Sequence, residues 1–198
     1  MSFVSGVSAS PGVLLALRDQ LNFIIKGKEI LEMKRDRLAG EINRLLGEVK
    51  IRSDMERELR EAYSLLIQVL MRIGYKNLRT IAKSVGYMDI KFSTEMVMGI
   101  NLVRLGVERS VEYTTFYEPL IQALAKKLNE AFKYMVKTAE IENNIEMLAL
   151  ELMSTSRKVN SLEKIVIPQY RETIRYVEER LMEDALGEFV RTKHIVSR

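Results

Sequence analysis

Leu31-Glu32-Met33-Lys34-Arg35-Asp36-Arg37-Leu38-Ala39-Gly40-Glu41-Ile42-Asn43-Arg44-Leu45 is the stretch that decides the fold. Leu31, Leu38 and Leu45 recur every seventh residue, with Arg35 and Ile42 four places after the first two. Alternating steps of three and four return to one side of an α-helix, so this spacing describes a helix whose apolar seam faces a partner helix. Carried outward, the leucine series reads Leu17, Ile24, Leu31, Leu38, Leu45, Arg52, Leu59, Leu66 and Ile73, broken only at Arg52. Its companion reads Leu14, Leu21, Lys28, Arg35, Ile42, Val49, Glu56, Tyr63 and Leu70. A repeat sustained over about eight heptads predicts a left-handed coiled coil. The polar seam positions Lys28, Arg35, Glu56 and Glu163 either fix the pairing register or snorkel to water.

The first helix has a start signal. Ser10 is placed to cap it, and Pro11 fits its first turn because a proline lacks only an N–H that would be unpaired there anyway. From Gly74 the heptads stop. Glycines at 74, 86, 99 and 106 punctuate the runs Met88-Asp89-Ile90-Lys91-Phe92 and Val97-Met98-Gly99-Ile100-Asn101-Leu102-Val103, which predict a short helix and then a strand hairpin, with an irregular loop as the alternative.

A second helix opens between Thr115 and Pro119 and runs nearly to the C-terminus. Its stripe passes through Ile121, Leu124, Leu128, Ala131, Met135, Ile145, Leu148, Leu152, Val159, Leu162, Val166, Thr173 and Val177, with a one-place drift between Ile141 and Leu148. A drift of this kind marks a place where a third element packs on the pair or the supercoil relaxes. Pro168 lies inside the stripe, removes one helical hydrogen bond and bends or loosens the helix.

The expected fold is therefore all-α: a long antiparallel two-helix coiled coil with a short helix and β-hairpin between its arms. The chain reads as one elongated domain over residues 1–198, with a first helix at 11–73, a middle segment at 74–114 and a second helix at 115–195. The core is expected at Leu14, Leu17, Leu21, Ile24, Leu31, Leu38, Ile42, Leu45, Leu59, Leu66, Leu148, Leu152, Val159, Leu162 and Val166. If Ile73 pairs near Phe116, then Pro11 falls opposite roughly Glu178, and the helix from Leu181 onward is left without a partner. That end keeps Leu181, Leu186, Phe189 and Val190 among charges such as Arg191 and Lys193. It is either a contact surface for another protein or a solvated tail.

Composition excludes much chemistry. The chain has 198 residues, net charge +4, 10 Gly, 3 Pro and no Cys, so few long elements are expected and no disulfide or thiolate site is available. Gly27-Lys28 lacks the rest of a phosphate loop, since Asn22 and Glu29 stand where that motif needs Gly and Ser or Thr. The single His194 makes no metal site. Basic residues such as Lys26, Lys28, Lys34 and Lys126-Lys127 have acids beside them and no aromatic ladder, which argues against nucleic-acid binding. The N-terminal apolar run ends after five residues at Arg18-Asp19, so neither a signal peptide nor a membrane span is expected.

Two blocks resemble the D subunit of archaeal and vacuolar-type rotary ATPases. One is Gly27-Lys28-Glu29-Ile30-Leu31-Glu32-Met33-Lys34-Arg35-Asp36-Arg37-Leu38. The other is Arg157-Lys158-Val159-Asn160-Ser161-Leu162-Glu163-Lys164-Ile165-Val166-Ile167-Pro168 followed by Glu172-Thr173-Ile174-Arg175-Tyr176-Val177. Gly27, Lys34, Arg35, Asp36, Asn160, Leu162, Glu163, Pro168, Thr173 and Tyr176 carry the motif. Val97-Met98-Gly99-Ile100 resembles the family's middle segment, while Pro11-Gly12-Val13 and Ala185-Leu186-Gly187 depart from its pattern.

The resemblance implies a central-stalk rotor component of an A/V-type ATP synthase, without catalytic residues, cofactor or metal of its own. It implies peripheral attachment at the cytoplasmic face of the cell membrane. Implied partners are the catalytic hexamer of A and B subunits, met by the tip at Leu181, Phe189, Arg191 and Lys193, the F subunit on the flank, and the C subunit as the socket at the base. A prefoldin-like chaperone is the alternative, since it too joins two coiled-coil helices through strands. A basic coiled-coil nucleic-acid binder is a third reading.

Overall fold

The structure is a computed structural model, and it describes residues 9–84, 88–109 and 118–196. In chain order it has α1 (Pro11–Glu48), α2 (Ile51–Ile73), α3 (Tyr75–Ser84), β1 (Asp89–Val97), β2 (Ile100–Arg109), α4 (Pro119–Ser161), a π-helical segment (Leu162–Val166) and α5 (Ile167–Val196). Among the described residues the fold is all-α apart from one antiparallel hairpin. The proposed helix start at Thr115 and the pairing partner Phe116 lie outside the described residues. The chain divides into two compact units: one runs Leu38–Glu151, and the other joins the chain up to Arg37 with Leu152 onward.

α1 begins as its sequence dictates. The Val13 N–H donates to Ser10 Oγ at 3.3 Å and the Leu14 N–H to the Ser10 carbonyl at 3.0 Å, so the cap and Pro11 together satisfy the first turn. The single helix expected to run to residue 73 is interrupted at Val49-Lys50. There the Val49, Arg52 and Ser53 N–H groups donate three residues back, to Leu46, Val49 and Lys50, instead of four. A tighter turn winds faster than the α-helix, and the seam emerges rephased by one residue. Leu38 and Leu45 are buried before the break, and Ala62 and Val69 after it. Glu56 and Tyr63, placed on the seam by the uninterrupted count, are consequently solvent-exposed. The polar break in the leucine series, Arg52, stands at the start of the rephased helix.

In the Leu38–Glu151 unit, the centre of the core is Val69, Ile121 and Leu124, with Leu65, Leu66, Ile73, Leu78, Ile81, Leu120 and Leu128 packed around them. Gly74 permits this arrangement. Its φ of 80° and ψ of 158° belong to a region closed to side chains, and the turn swings α3 back so that Leu78 and Ile81 join the cluster. On α4 the buried positions in this unit are Ile121, Leu124, Asn129, Ala131, Thr138, Ile141, Asn144 and Leu148. Met135, placed on the stripe by the sequence, is 39% exposed. The seam passes through Thr138 and Ile141 instead, in step with the drift that begins there.

β1 and β2 pair antiparallel with Val97 opposite Ile100, so the turn is Met98-Gly99, inside what the sequence offered as a single apolar strand. Both residues have positive φ, 53° and 81°, as a two-residue hairpin turn of the right twist requires.

In the other unit, α5 and the C-terminal turns of α4 bury Thr155, Val159, Ile167, Thr173, Ile174 and Val177, and Leu14, Leu17, Leu21, Ile24 and Leu31 on α1 are half-buried. The Arg18 Nη2 to Glu178 Oε1 distance of 2.6 Å places Glu178 opposite Arg18 in the antiparallel pair. Glu178 therefore sits two helical turns further along α1 than the Pro11 partner expected from the sequence, and less of α5 is left over.

Candidate functional surfaces

The hairpin is attached to α4 through peptide groups. In a two-stranded antiparallel sheet each strand has one edge whose N–H and C=O groups point away from its partner. On β2 these groups are met by α4. Asn144 Oδ1 accepts the Val103 N–H at 2.9 Å while its Nδ2 donates to the Val103 carbonyl at 2.9 Å. Glu140 Oε2 accepts the Leu105 N–H at 2.8 Å. Asn144 is buried and thus mimics the peptide of a third strand, where an unmet peptide group costs about 1–3 kcal/mol. This is the third element that the drift between Ile141 and Leu148 leaves room for. Sequence reasoning missed Asn144 and Glu140 themselves. The available signal was an asparagine three places after Ile141 and four before Leu148, where helical spacing puts it on their face.

Below the hairpin lies a cleft of about 360 Å³. Its walls alternate in charge: Glu41 and Arg44 from α1, Glu95 and Arg104 from the hairpin, Lys137 and Glu140 from α4. Arg104 pairs with Glu95 at 2.8 Å and with Glu140 at 3.7 Å. Hydrogen bonding from Arg44 holds the Glu41 carboxyl below the usual carboxylate range, helped by the charges of Arg44 and Arg104. Among the described residues no group of three or more His, Cys, Asp or Glu is arranged to hold a metal ion.

Charged groups bridge the facing helices within each unit. Lys127 of α4 reaches both Glu58 and Glu61 of α2, at 2.8 and 2.7 Å, which raises its ammonium pKa and lowers that of Glu61. Arg52 reaches Glu142 at 3.0 Å and Arg72 reaches Glu118 at 3.0 Å. In the other unit Lys28 bonds Glu32 on its own helix at 3.2 Å and Glu163 across the seam at 3.6 Å, and these partners raise its pKa, the Glu32 hydrogen bond most. Of the four polar seam positions, only the Lys28–Glu163 pair crosses between helices. Arg35 pairs with its neighbour Asp36, and Glu56 with Arg52 and Arg60 on its own helix.

The motif residues fall on two segments of one unit. Gly27, Lys34, Arg35 and Asp36 are on α1; Asn160, Leu162, Glu163, Pro168, Thr173 and Tyr176 flank or form the π segment. Pro168 lacks the N–H that an α-helix would donate to residue 164, and the preceding turn widens so that the Ile167 N–H donates to the Leu162 carbonyl. The structure brings Glu163 to Lys28, beside Gly27. Thr173 is buried and donates to the Gln169 carbonyl at 2.8 Å, whereas Asn160, Pro168 and Tyr176 are exposed. A methyl group on Gly27 would meet nothing within 4 Å, so packing inside the chain does not account for a glycine there.

Of the core positions read from the sequence, Leu38, Leu45, Leu148 and Val159 are buried, and Ile42, Leu59, Leu66, Leu152, Leu162 and Val166 are half-buried like those on α1. Toward the end of α5, Leu181 and Gly187 are half-buried and the other residues from Met182 to Val196 are exposed, including Phe189, Arg191 and Lys193. Phe189 is 67% and Val190 63% exposed.

Comparison with known proteins accounts for the motif. The family model for the D subunit of ATP synthase matches residues 13–197. The D subunit of the A-type ATP synthase of Methanobrevibacter smithii is 34% identical, over 98% of this chain and 88% of its own length. That of Methanosphaera stadtmanae is 30% identical over 97% and 94%. The D subunit of the V-type ATP synthase of Thermotoga neapolitana, a bacterium, is 28% identical over 96% of each. With its paired helices, its hairpin and a match over nearly its whole length, the chain belongs to the family of ATP synthase D subunits.

Proposed function

We propose that this chain is the central rotor shaft of an A/V-type ATP synthase, transmitting torque between the ion-driven membrane ring and the catalytic hexamer of A and B subunits. The observation that carries the reading is the set of charged bridges between antiparallel helices, Arg18–Glu178 and Lys28–Glu163 in one unit and Arg52–Glu142 and Lys127–Glu58 in the other. A two-helix shaft under torque fails by sliding of one helix along the other. Apolar seams resist this poorly because each heptad resembles the next, while charge pairs between the helices favour one register over its neighbours. The chemistry of ATP then belongs to the hexamer, and this chain is non-catalytic and binds no cofactor.

In the same reading the exposed end of α5, with Leu181, Phe189, Arg191 and Lys193, enters the hexamer axis. The F subunit holds the flank and the C subunit the base. The chain contacts no nucleic acid and sits peripherally at the cytoplasmic face of the membrane, in keeping with the absence, among the described residues, of any helix long and apolar enough to cross one. The family assignment leaves the prefoldin-like reading without support. Affinity purification of the tagged chain from its host tests the proposal: nucleotide-binding subunits are expected to come with it in a complex that hydrolyses ATP. Recovery of the chain free of such subunits, or as an oligomer of itself, would overturn it.

A further inference from the structure

We infer that the β-hairpin is a releasable flap whose docked position is set by Asn144 of α4. The hydrogen bonds that tie the hairpin to α4 all come from β2. Along β1 every residue from Asp89 to Met96 is exposed, Phe92 and Met96 each to 72%. Only Ile100 and Leu102 of the hairpin are buried apolar residues among those described. The cleft beneath it mixes charged residues with Leu45, Val97, Leu102 and Ile141. Attachment thus rests on buried Ile100 and Leu102 with half-buried Val97, Val103, Leu105 and Val107, the Asn144 clamp on Val103, the Glu140 contact with Leu105, and the ion pair between Arg104 and Glu140.

Such an attachment has two consequences. The clamp fixes register, because Asn144 offers one donor and one acceptor and only a strand peptide facing it squarely satisfies both. The hairpin also opens as a unit, since lifting it breaks these few contacts and leaves its own ladder and the helix seam intact. The open form presents the β2 edge and the side chains of Ile100 and Leu102. Asn144 is a positioning residue for this flap, and its buried place on α4 serves the flap as well as the seam.

Residue-resolved amide hydrogen exchange on the full chain tests this. In the wild-type chain the Val103 and Leu105 amides are expected to exchange at least tenfold faster than those of α4 around Leu148, with little dependence on added urea. In Asn144→Leu, which keeps the side chain's γ-branched shape and removes the clamp, they are expected to accelerate by a further tenfold or more while the α4 amides keep their wild-type rates. Equal protection and equal urea dependence of hairpin and helix in the wild-type chain would overturn the inference, and this measurement stands even if the variant fails to fold. Unchanged rates at Val103 and Leu105 in a folded Asn144→Leu chain would overturn it too.

Discussion

Leu38 and Thr138 show how differently two buried side chains bear on stability. Leu38 is fully buried on α1, so Leu38→Ala removes apolar contacts and leaves a cavity; a loss of about 2–5 kcal/mol is expected by urea denaturation. Thr138 is 8% exposed, and its hydroxyl has no hydrogen-bond partner. Valine has the same shape without that oxygen. Thr138→Val is therefore expected to raise stability by about 1 kcal/mol, seen as a higher thermal midpoint, and a lower midpoint would show that the hydroxyl is satisfied in solution. The leucine was plain from its heptad place. The threonine was not, because its burial depends on where the drifting stripe of α4 turns, which is set by the hairpin beside it.

At the scale of the element, the bridge between α2 and α4 has a definite pH signature. Lys127 lowers the Glu61 pKa from its ordinary 4.5, so the folded chain holds that carboxylate charged at acidities where the unfolded chain has protonated it. The stabilisation is present above the unfolded value and is lost as pH falls through the folded one. Lys127 has its pKa raised, so its share is complete below 10.5 and declines only in strong base. The gap in urea midpoint between wild type and Lys127→Met is thus expected to be wide at pH 7 and to narrow at pH 3. A gap that stays constant would mean that the lysine acts through packing of its stem. The hairpin illustrates what hides at this scale. Gly99 announces a turn, but Met98 at φ 53° is an unusual partner for it, and the sequence pattern runs a strand straight through both.

For the whole molecule, the question is what the exposed end of α5 meets. Leu186, Phe189, Val190, Ile195 and Val196 are all more than half exposed, an apolar load that a solvated tail does not need. Truncation after Arg180 is expected to leave the chain folded, since the α5 residues that are buried, Ile167, Thr173, Ile174 and Val177, all precede it. If the chain is the proposed shaft, the truncated form is expected to assemble with other subunits of the complex while supporting less ATP synthesis in reconstituted vesicles. Synthesis at the wild-type rate would mean that this end is not a bearing surface.

The sequence by itself determined the long helices, their start at Ser10 and Pro11, the interruption by a helix and hairpin, and the family, because each rests on local spacing or on a short motif. Heptads, caps and turn residues act within a few positions of themselves. Tertiary structure alone decided the rephasing at Val49-Lys50, the pairing of Glu178 with Arg18, and the capture of β2 by Asn144 and Glu140. Each of these joins residues distant in the chain or depends on an exact phase. A seam repeating every seven residues fits many registers almost equally well, and the choice among them falls to single polar contacts that no periodicity encodes.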